Sequence, residues 1–501
     1  MHAPFQAAGM TSLVSSSAPS RVADMEEPGN DPDCWNRVGC NFQQRGQITQ
    51  AISQYRKALK LDPTHAKANF NLAICLCELA RQQEKVGSNK IKAAFWTKAS
   101  RHYLEAISTL KLERASLPFA TSHDANGTTE KSNEMYIDAL VNLGVLHLNL
   151  GNLKDAETMI EMALGEPSIS WCGHRDACWN LNSILRRQGR KDEAINRTWK
   201  HIFQELNDNG QKGIFPILDC GVKDRQRVHG DSIQLAIVCV KWGTKYGLDY
   251  VKILRDSVKR NLSSFETLSV GKLLSYEFYC LTDDKELLAN DGRGVDGIKA
   301  IPLEHGWTGW WNKLCLFSPT FKAAVGQSFA SSSSSGTPCA RRVMYIDLDT
   351  VITGSLDEIA MYDGHFAILS TDGLDNEGSD FSDGYNSSVV LWNFDGIDLE
   401  SHVYAPLKEH FKVVNHFVHR LDHWLEMTVK NADLLQLLFP QQILEYNHDC
   451  ASIYDSADIT PKAEVPSVRS FTGLPENSRI VNFPLAPKPH EVKDKHPWIQ
   501  Q

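Results

Sequence analysis

Residues 341–359 read RRVMYIDLDTVITGSLDEI. Val343-Met-Tyr-Ile346 is an apolar run of strand character, and Asp347 and Asp349 follow it directly. On an extended segment alternate residues project to the same side, so both carboxylates face one way. Two carboxylates at a strand end can hold a hard divalent cation, Mn2+ or Mg2+, whose other ligands can be diphosphate oxygens. A lone D-x-D is common in acidic loops. The apolar strand before this one, and Thr353-Gly-Ser-Leu-Asp357 after it, make it far more specific.

The surrounding sequence supports that reading. Leu235-Ala-Ile-Val-Cys-Val240 is a continuous apolar run, as expected of a strand buried on both faces. A helix follows, with Leu248, Val251, Leu254, Val258 and Leu262 along one face. Tyr276–Leu281 and Ile298–Leu303 read as further strands. Strands alternating with helices predict an α/β fold on a mostly parallel sheet, with sites at the carboxyl ends of its strands. Neither a G-x-G-x-x-G fingerprint nor a P-loop is present, which weakens a nucleotidyltransferase reading.

The N-terminal half has a different period. Residues 31–65 read DPDCWNRVGCNFQQRGQITQAISQYRKALKLDPTH. Gly39 and Ala51 are small where two antiparallel helices must approach, Trp35, Phe42 and Tyr55 are large where a groove needs filling, and Pro63 ends the second helix. The pattern resembles the 34-residue tetratricopeptide repeat. A second copy carries Leu72-Ala73, Leu76, Ala99, Tyr103 and Ala106, with an insertion around Gly87. After the polar stretch Thr121–Asn133, a third carries Leu143-Gly144, Gly151, Ala156, Ile160 and Ala163. A degenerate fourth keeps Leu181, Gly189 and Ala194. The expected organisation is a disordered tail over 1–30, an all-α solenoid over 31–205, a connector over 206–231 and an α/β domain over 232–501. By analogy with solenoids, the concave groove of the array would take a protein or peptide partner.

The block around Asp347 resembles the D-x-D strand of GT-A glycosyltransferases, close to family 8, the glycogenin-like enzymes. The likeness extends over about residues 232–498. Tyr246 matches an aromatic that stacks on the nucleotide base. Lys313, in GWTGWWNKLCLF, matches the lysine before the D-x-D strand. Tyr385-Asn386-Ser387-Ser388 resembles a segment lying against the donor sugar, Asp422-His423 resembles an Asp-Gln pair, and Lys488-Pro489 matches a Lys-Pro that closes over the diphosphate. The resemblance implies a metal held by Asp347, Asp349 and a third ligand, here Asn482 in place of the family's histidine. It implies a nucleotide-sugar donor, a uridine diphosphate sugar first, contacted by Tyr246, Lys313, Asp347 and Lys488. Asp422, Asn386 and Lys313 are the implied catalytic candidates. Two further departures are Ser388 for a glycine and His423 for a glutamine. A non-catalytic repeat scaffold carrying a degenerate transferase fold is the alternative. Trp307, Trp310 and Trp311 either stack on a sugar or pack as a cluster.

Composition narrows the remaining classes. The 501 residues carry 61 acidic and 52 basic side chains, a formal charge of -9, with no basic run of the kind that grips nucleic acid. No apolar stretch reaches the length of a membrane span. The 12 cysteines include no C-x-x-C, which argues against structural zinc and for reduced thiols. The Ser-rich start is no secretory signal. A cytoplasmic protein is the expectation, with nuclear residence and an organellar transit peptide as the other readings. The serine run in 327–339 and the acidic loop Asp372–Asp383 read as solvated surface.

Overall fold

The computed structural model describes residues 29–85, 89–116, 128–221, 232–263, 273–289, 296–304, 306–331, 339–371, 384–450, 474–484 and 486–499. The tail over 1–28, the insertion around Gly87, most of the serine run and the acidic loop lie outside them. The chain divides into two compact units, Ala3–Thr198 and Trp199–Gln501.

The first unit is helical: α1 (Pro32–Gln44), α2 (Ile48–Leu61), α3 (Ala66–Lys85), α4 (Asn89–Ser116), α5 (Thr128–Asn149), α6 (Leu153–Leu164), α7 (Trp171–Arg187) and α8 (Lys191–Asp208), the last crossing the boundary. Asp31 caps α1, accepting from Asp33 N at 3.0 Å, with Pro32 at the first helical position. Gly46, Gly151 and Gly189 follow the first helices of three repeats with φ of 71, 77 and 73°. This left-handed turn strains any residue with a Cβ. A Cβ on Gly39 would lie 2.4 Å from Cε1 of Tyr55, and one on Gly144 would lie 2.7 Å from Cδ1 of Ile160. Ala51, Tyr55, Ala99, Tyr103, Ala156 and Ile160 are all 0% exposed, so the small-and-large pattern is a packing pattern. Trp35 and Phe42 are only half-buried, with the Trp35 Nε1 donating to Gly29 O at 2.9 Å. The polar residues Thr128–Asn133 belong to α5, not to a separator.

The second unit is built on a seven-stranded sheet. Its strands are β2 (Ser232–Lys241), β3 (Leu273–Thr282), β4 (Ile298–Pro302), β5 (Cys339–Ile346), β7 (Phe366–Ser370), β8 (Tyr385–Asn393) and β10 (Asp433–Leu434), ordered β10-β7-β8-β5-β2-β3-β4. Two small sheets join β1 (Leu218–Asp219) to β9 (Val429–Lys430), and β11 (Ile443–Glu445) to β12 (Ile480–Asn482) and β6 (Val351–Ile352). The helices are α9 (Leu248–Asn261), α10 (Lys285–Leu288), α11 (Pro319–Ser331), α12 (Asp357–Ala360), α13 (Ala405–Phe417), α14 (Leu421–Thr428), α15 (Leu435–Leu438) and α16 (Pro489–Val492), with a 3-10 helix over Gly309–Phe317. The expected connector is partly structural: Leu218 is 1% exposed, and the Phe215 ring lies 5.0 Å from Trp199 and 5.9 Å from Trp424.

Two topological features position the site. β3 and β4 succeed β2 on one side, all parallel, and β5 then returns to its other side, also parallel. Strand order therefore reverses between β2 and β5, and in open α/β sheets such a reversal opens a crevice at the carboxyl ends of those strands. β8 runs antiparallel between β5 and β7, so the sheet is mixed. An antiparallel strand begins where its neighbour ends. Ile346 pairs with Val389, and Asp347 N donates to Ser388 O at 2.8 Å, which brings Asn386–Ser388 to the same edge.

Candidate functional site

Asp347 and Asp349 leave β5 at the reversal. Lys313, on the 3-10 helix, sets its ammonium 2.8 Å from Asp347 Oδ2 and donates to the carbonyl and hydroxyl of Ser387 at 3.3 Å each. Tyr345 donates its hydroxyl to the other oxygen of Asp347. Lys488 reaches Asp349 Oδ2 at 2.8 Å and also donates to the carbonyl of Phe483. Tyr246, from the loop after β2, donates to the same Oδ2 at 2.9 Å. Lys488 stands at the N-cap of α16, where Glu491 accepts from its backbone N–H at 2.6 Å and fixes the turn. Lysines in this state of burial are normally paired, and both are.

The charges are strongly coupled. Burial raises the pKa of Asp347, and Asp349 reinforces it, against the opposing pull of Lys313. Burial also pushes Asp349 up, but Lys488, Tyr246 and Lys313 outweigh it and hold the group below its ordinary value. Burial works against charge on Lys313, yet Asp347, Asp422 and Asp349 together raise its pKa. Lys245 is pulled down by burial and by Lys488, and its ammonium lies 4.8 Å from the centre of the Tyr246 ring.

The expected site residues are joined to different degrees. Tyr246, Asp349 and Lys488 form one contact group and Lys313 and Asp347 another, and the two meet through the backbone of Asp347-Leu348-Asp349. Asp422, in the first turn of α14, enters at one remove, its Oδ1 accepting from Ser387 N at 3.0 Å. Asn386 is a neighbour whose Oδ1 accepts from Ser388 N at 2.9 Å, a bond made within its own strand. Asn482 ends β12. Val481 pairs with Val351, so continuing that antiparallel register sets Asn482 opposite Thr350, next to Asp349. The Oδ1 of Asn482 and the Oγ1 of Thr350 are buried, with no hydrogen-bond partner among the described residues. Both contacts to Asp349 meet Oδ2, and among the described residues none reaches Oδ1. These unmatched oxygens, like the two carboxylates, are of the hard type that a divalent cation takes.

Tyr345, Thr350 and Lys245 were not anticipated, and Ser387 was anticipated only as part of the segment around Asn386. Tyr345 was accessible to reasoning, because it stands two residues before Asp347 and so shares its face. The contact of Ser387 with Lys313 was not, because it depends on the antiparallel entry of β8.

Residues 41–76 match the family model described as a TPR repeat, so the first unit contains a tetratricopeptide repeat, a module that implies a protein partner. No curated protein matches the chain. Among solved structures, BtubC (BKLC) from P. vanneervenii is 17% identical over 38% of this chain and 70% of its own, with a TM-score of 0.26. MamA is 18% identical over 38% of this chain and 100% of its own, with a TM-score of 0.19. A mutant O-GlcNAc transferase of Thermobaculum terrenum is 14% identical over 52% of this chain and 39% of its own, with a TM-score of 0.23. Likenesses at these scores carry no argument about function. Among the described residues, no helix is long and apolar enough to cross a membrane.

Proposed function

We propose that the second unit is a metal-dependent glycosyltransferase domain of GT-A type. It moves a sugar from a nucleotide sugar, a uridine diphosphate sugar in the first instance, to an acceptor, while the repeat array recruits a protein partner or that acceptor. The observation that carries the reading is the pair of half-buried carboxylates at the strand-order reversal, each met by a buried lysine at 2.8 Å.

Asp347, Asp349 and Asn482 would hold Mn2+ or Mg2+, which supplies positive charge against the diphosphate when bound. In the transfer, the acceptor hydroxyl oxygen bonds to the anomeric carbon. The bond from that carbon to the diphosphate oxygen breaks, its electron pair leaves on the nucleoside diphosphate, and the hydroxyl proton is released. Negative charge therefore grows on the leaving group. Lys488 and Lys313 are the side chains able to turn toward it, their carboxylate partners then being matched by the cation. Asp422 orients the Ser387 backbone, and so the β8 segment that Lys313 binds.

Incubation with Mn2+ and a panel of nucleotide sugars, with nucleoside diphosphate release as the readout, tests the reading. Asp347→Ala and Asp349→Ala should each lower release by about 100-fold or more. Absence of release with every donor of the panel, or release indifferent to both substitutions, overturns it. Calorimetry with uridine diphosphate and Mn2+ separates the enzyme from a non-catalytic scaffold, which would bind neither tightly.

A further inference from the structure

Three lysines stand around the carboxylate pair, and they are not in the same state. Lys313 and Lys488 are buried, and each is paired to one carboxylate at 2.8 Å. Lys245 is exposed, and among the described residues no carboxylate comes within ion-pairing distance of it. Its ammonium lies instead 4.8 Å from the centre of the Tyr246 ring, whose hydroxyl donates to Asp349 Oδ2 at 2.9 Å. Lys245 is therefore one ring and one hydrogen bond from Asp349. Desolvation and the charge of Lys488 lower its pKa, while Asp349, Asp347 and Glu491 act the other way, so the ammonium lies in the field of the whole cluster. The loop that carries it is held at its base. Gly243, with φ of 58°, donates its N–H to Asp283 Oδ2 at 2.9 Å, and Lys241 pairs with Asp284 at 3.1 Å. Both acids follow β3, the neighbour of β2 in the sheet. Gly247 then stands at the N-cap of α9, and the Tyr246 ring packs 4.9 Å from that of Tyr250. A cation seated on an aromatic ring in a pinned loop is pre-positioned, so it loses little freedom on taking up an anion.

We infer that Lys245 binds the terminal phosphate of a nucleoside diphosphate, and that Tyr246 positions it for that contact. This rests on the glycosyltransferase reading above. The charges of Asp347 and Asp349 are cancelled by those of Lys313 and Lys488. A divalent cation brings two positive charges to the site, and Lys245 brings a third. A nucleoside diphosphate carries about three negative charges near neutral pH, and the monophosphate about one fewer. With Lys245 the loaded site matches the diphosphate, and without it the monophosphate. Lys245 thus sets the preference for the leaving group of the transfer over its shorter analogue, a role that requires no existing ion pair to be broken.

Calorimetry on the full chain with Mn2+ present compares uridine diphosphate, uridine monophosphate and uridine. Lys245→Met should weaken uridine diphosphate about tenfold and leave the monophosphate and the nucleoside within about twofold. Lys245→Arg keeps the charge and should hold uridine diphosphate within about threefold of wild type. Tm should be unchanged in both variants, because the side chain is exposed and holds no ion pair among the described residues. Tyr246→Ala removes the seat of the ammonium and should narrow the ratio of the diphosphate and monophosphate affinities as well, a readout that a general loss of structure would not move selectively. Tight uridine diphosphate binding by wild type that Lys245→Met leaves unchanged overturns the assignment alone. So does a loss shared equally by the monophosphate. Failure of uridine diphosphate to bind the wild-type chain removes the nucleotide-sugar reading, and the role of Lys245 falls with it.

Discussion

Replacing Lys488 by methionine keeps the length of the side chain and removes its charge. The ion pair to Asp349 spans 2.8 Å, with the two side chains 7% and 14% exposed. At an effective dielectric of about 20, two unit charges at that distance attract by about 6 kcal/mol before desolvation is counted. Removing one partner of a buried pair costs about 3–5 kcal/mol, because the remaining charge is stranded. Tyr246 still donates to Asp349, so the lower value is expected, and a change of about 3 kcal/mol lowers Tm by roughly 5 °C in a unit of this size. The assay is thermal unfolding of wild type, Lys488→Met, Asp349→Asn and the double variant. The double variant should recover most of the loss, since it strands no charge. Mn2+ should stabilise Lys488→Met by about 2.7 kcal/mol at 100 times its Kd, and should leave the double variant unmoved. The carbonyl of Phe483 loses its lysine donor in both, so that loss cancels in the comparison. A Lys488→Met chain as stable as wild type, or equal Mn2+ effects in the single and double variants, would refute the reasoning.

Two further outcomes concern the repeat unit. Gly39→Ala puts a methyl 2.4 Å from the Tyr55 ring and should destabilise by about 1–3 kcal/mol, and an unchanged Tm would contradict the packing. His102 lies 2.8 Å from Asn69 Oδ1, and burial, aided by Arg56, pulls its pKa below the ordinary 6.5. The unfolded chain therefore takes up this proton first, so the contribution of His102 is present above pH 6.5 and is lost as the pH falls through that value toward the folded pKa. Tm should drop between about pH 7.5 and 5.5, and His102→Gln should shrink that drop, with an identical drop speaking against it.

Some of this molecule could be read from local sequence because its causes are local. Gly39 and Tyr55 are sixteen positions apart, on the two adjacent helices of one repeat, so the repeat pattern marked Gly39 as a place of close approach and Tyr55 as a filler, and the two meet. Asp347 and Asp349 were legible for the same reason, a buried strand and its first turn being one short segment. Thr128–Asn133 misled because polar residues also suit a helical turn, and the connector misled because Leu218 pairs with Val429 and Phe215 packs on Trp424 as well as on nearby Trp199, and the two distant partners are not legible locally.

The sequence by itself determined a helical repeat and an α/β unit with two carboxylates at a strand end. Tertiary structure decided what those carboxylates meet. Tyr246 stands 103 residues from Asp349 and Ser387 stands 74 from Lys313. These separations are bridged by strand order: the reversal at β2 and β5 brings the first loop to the second, and the antiparallel course of β8 brings its start to the end of β5. The physical reason is that periodicity records which face of an element is buried, whereas charge pairing depends on which elements become neighbours. That choice is made by the packing of the whole sheet.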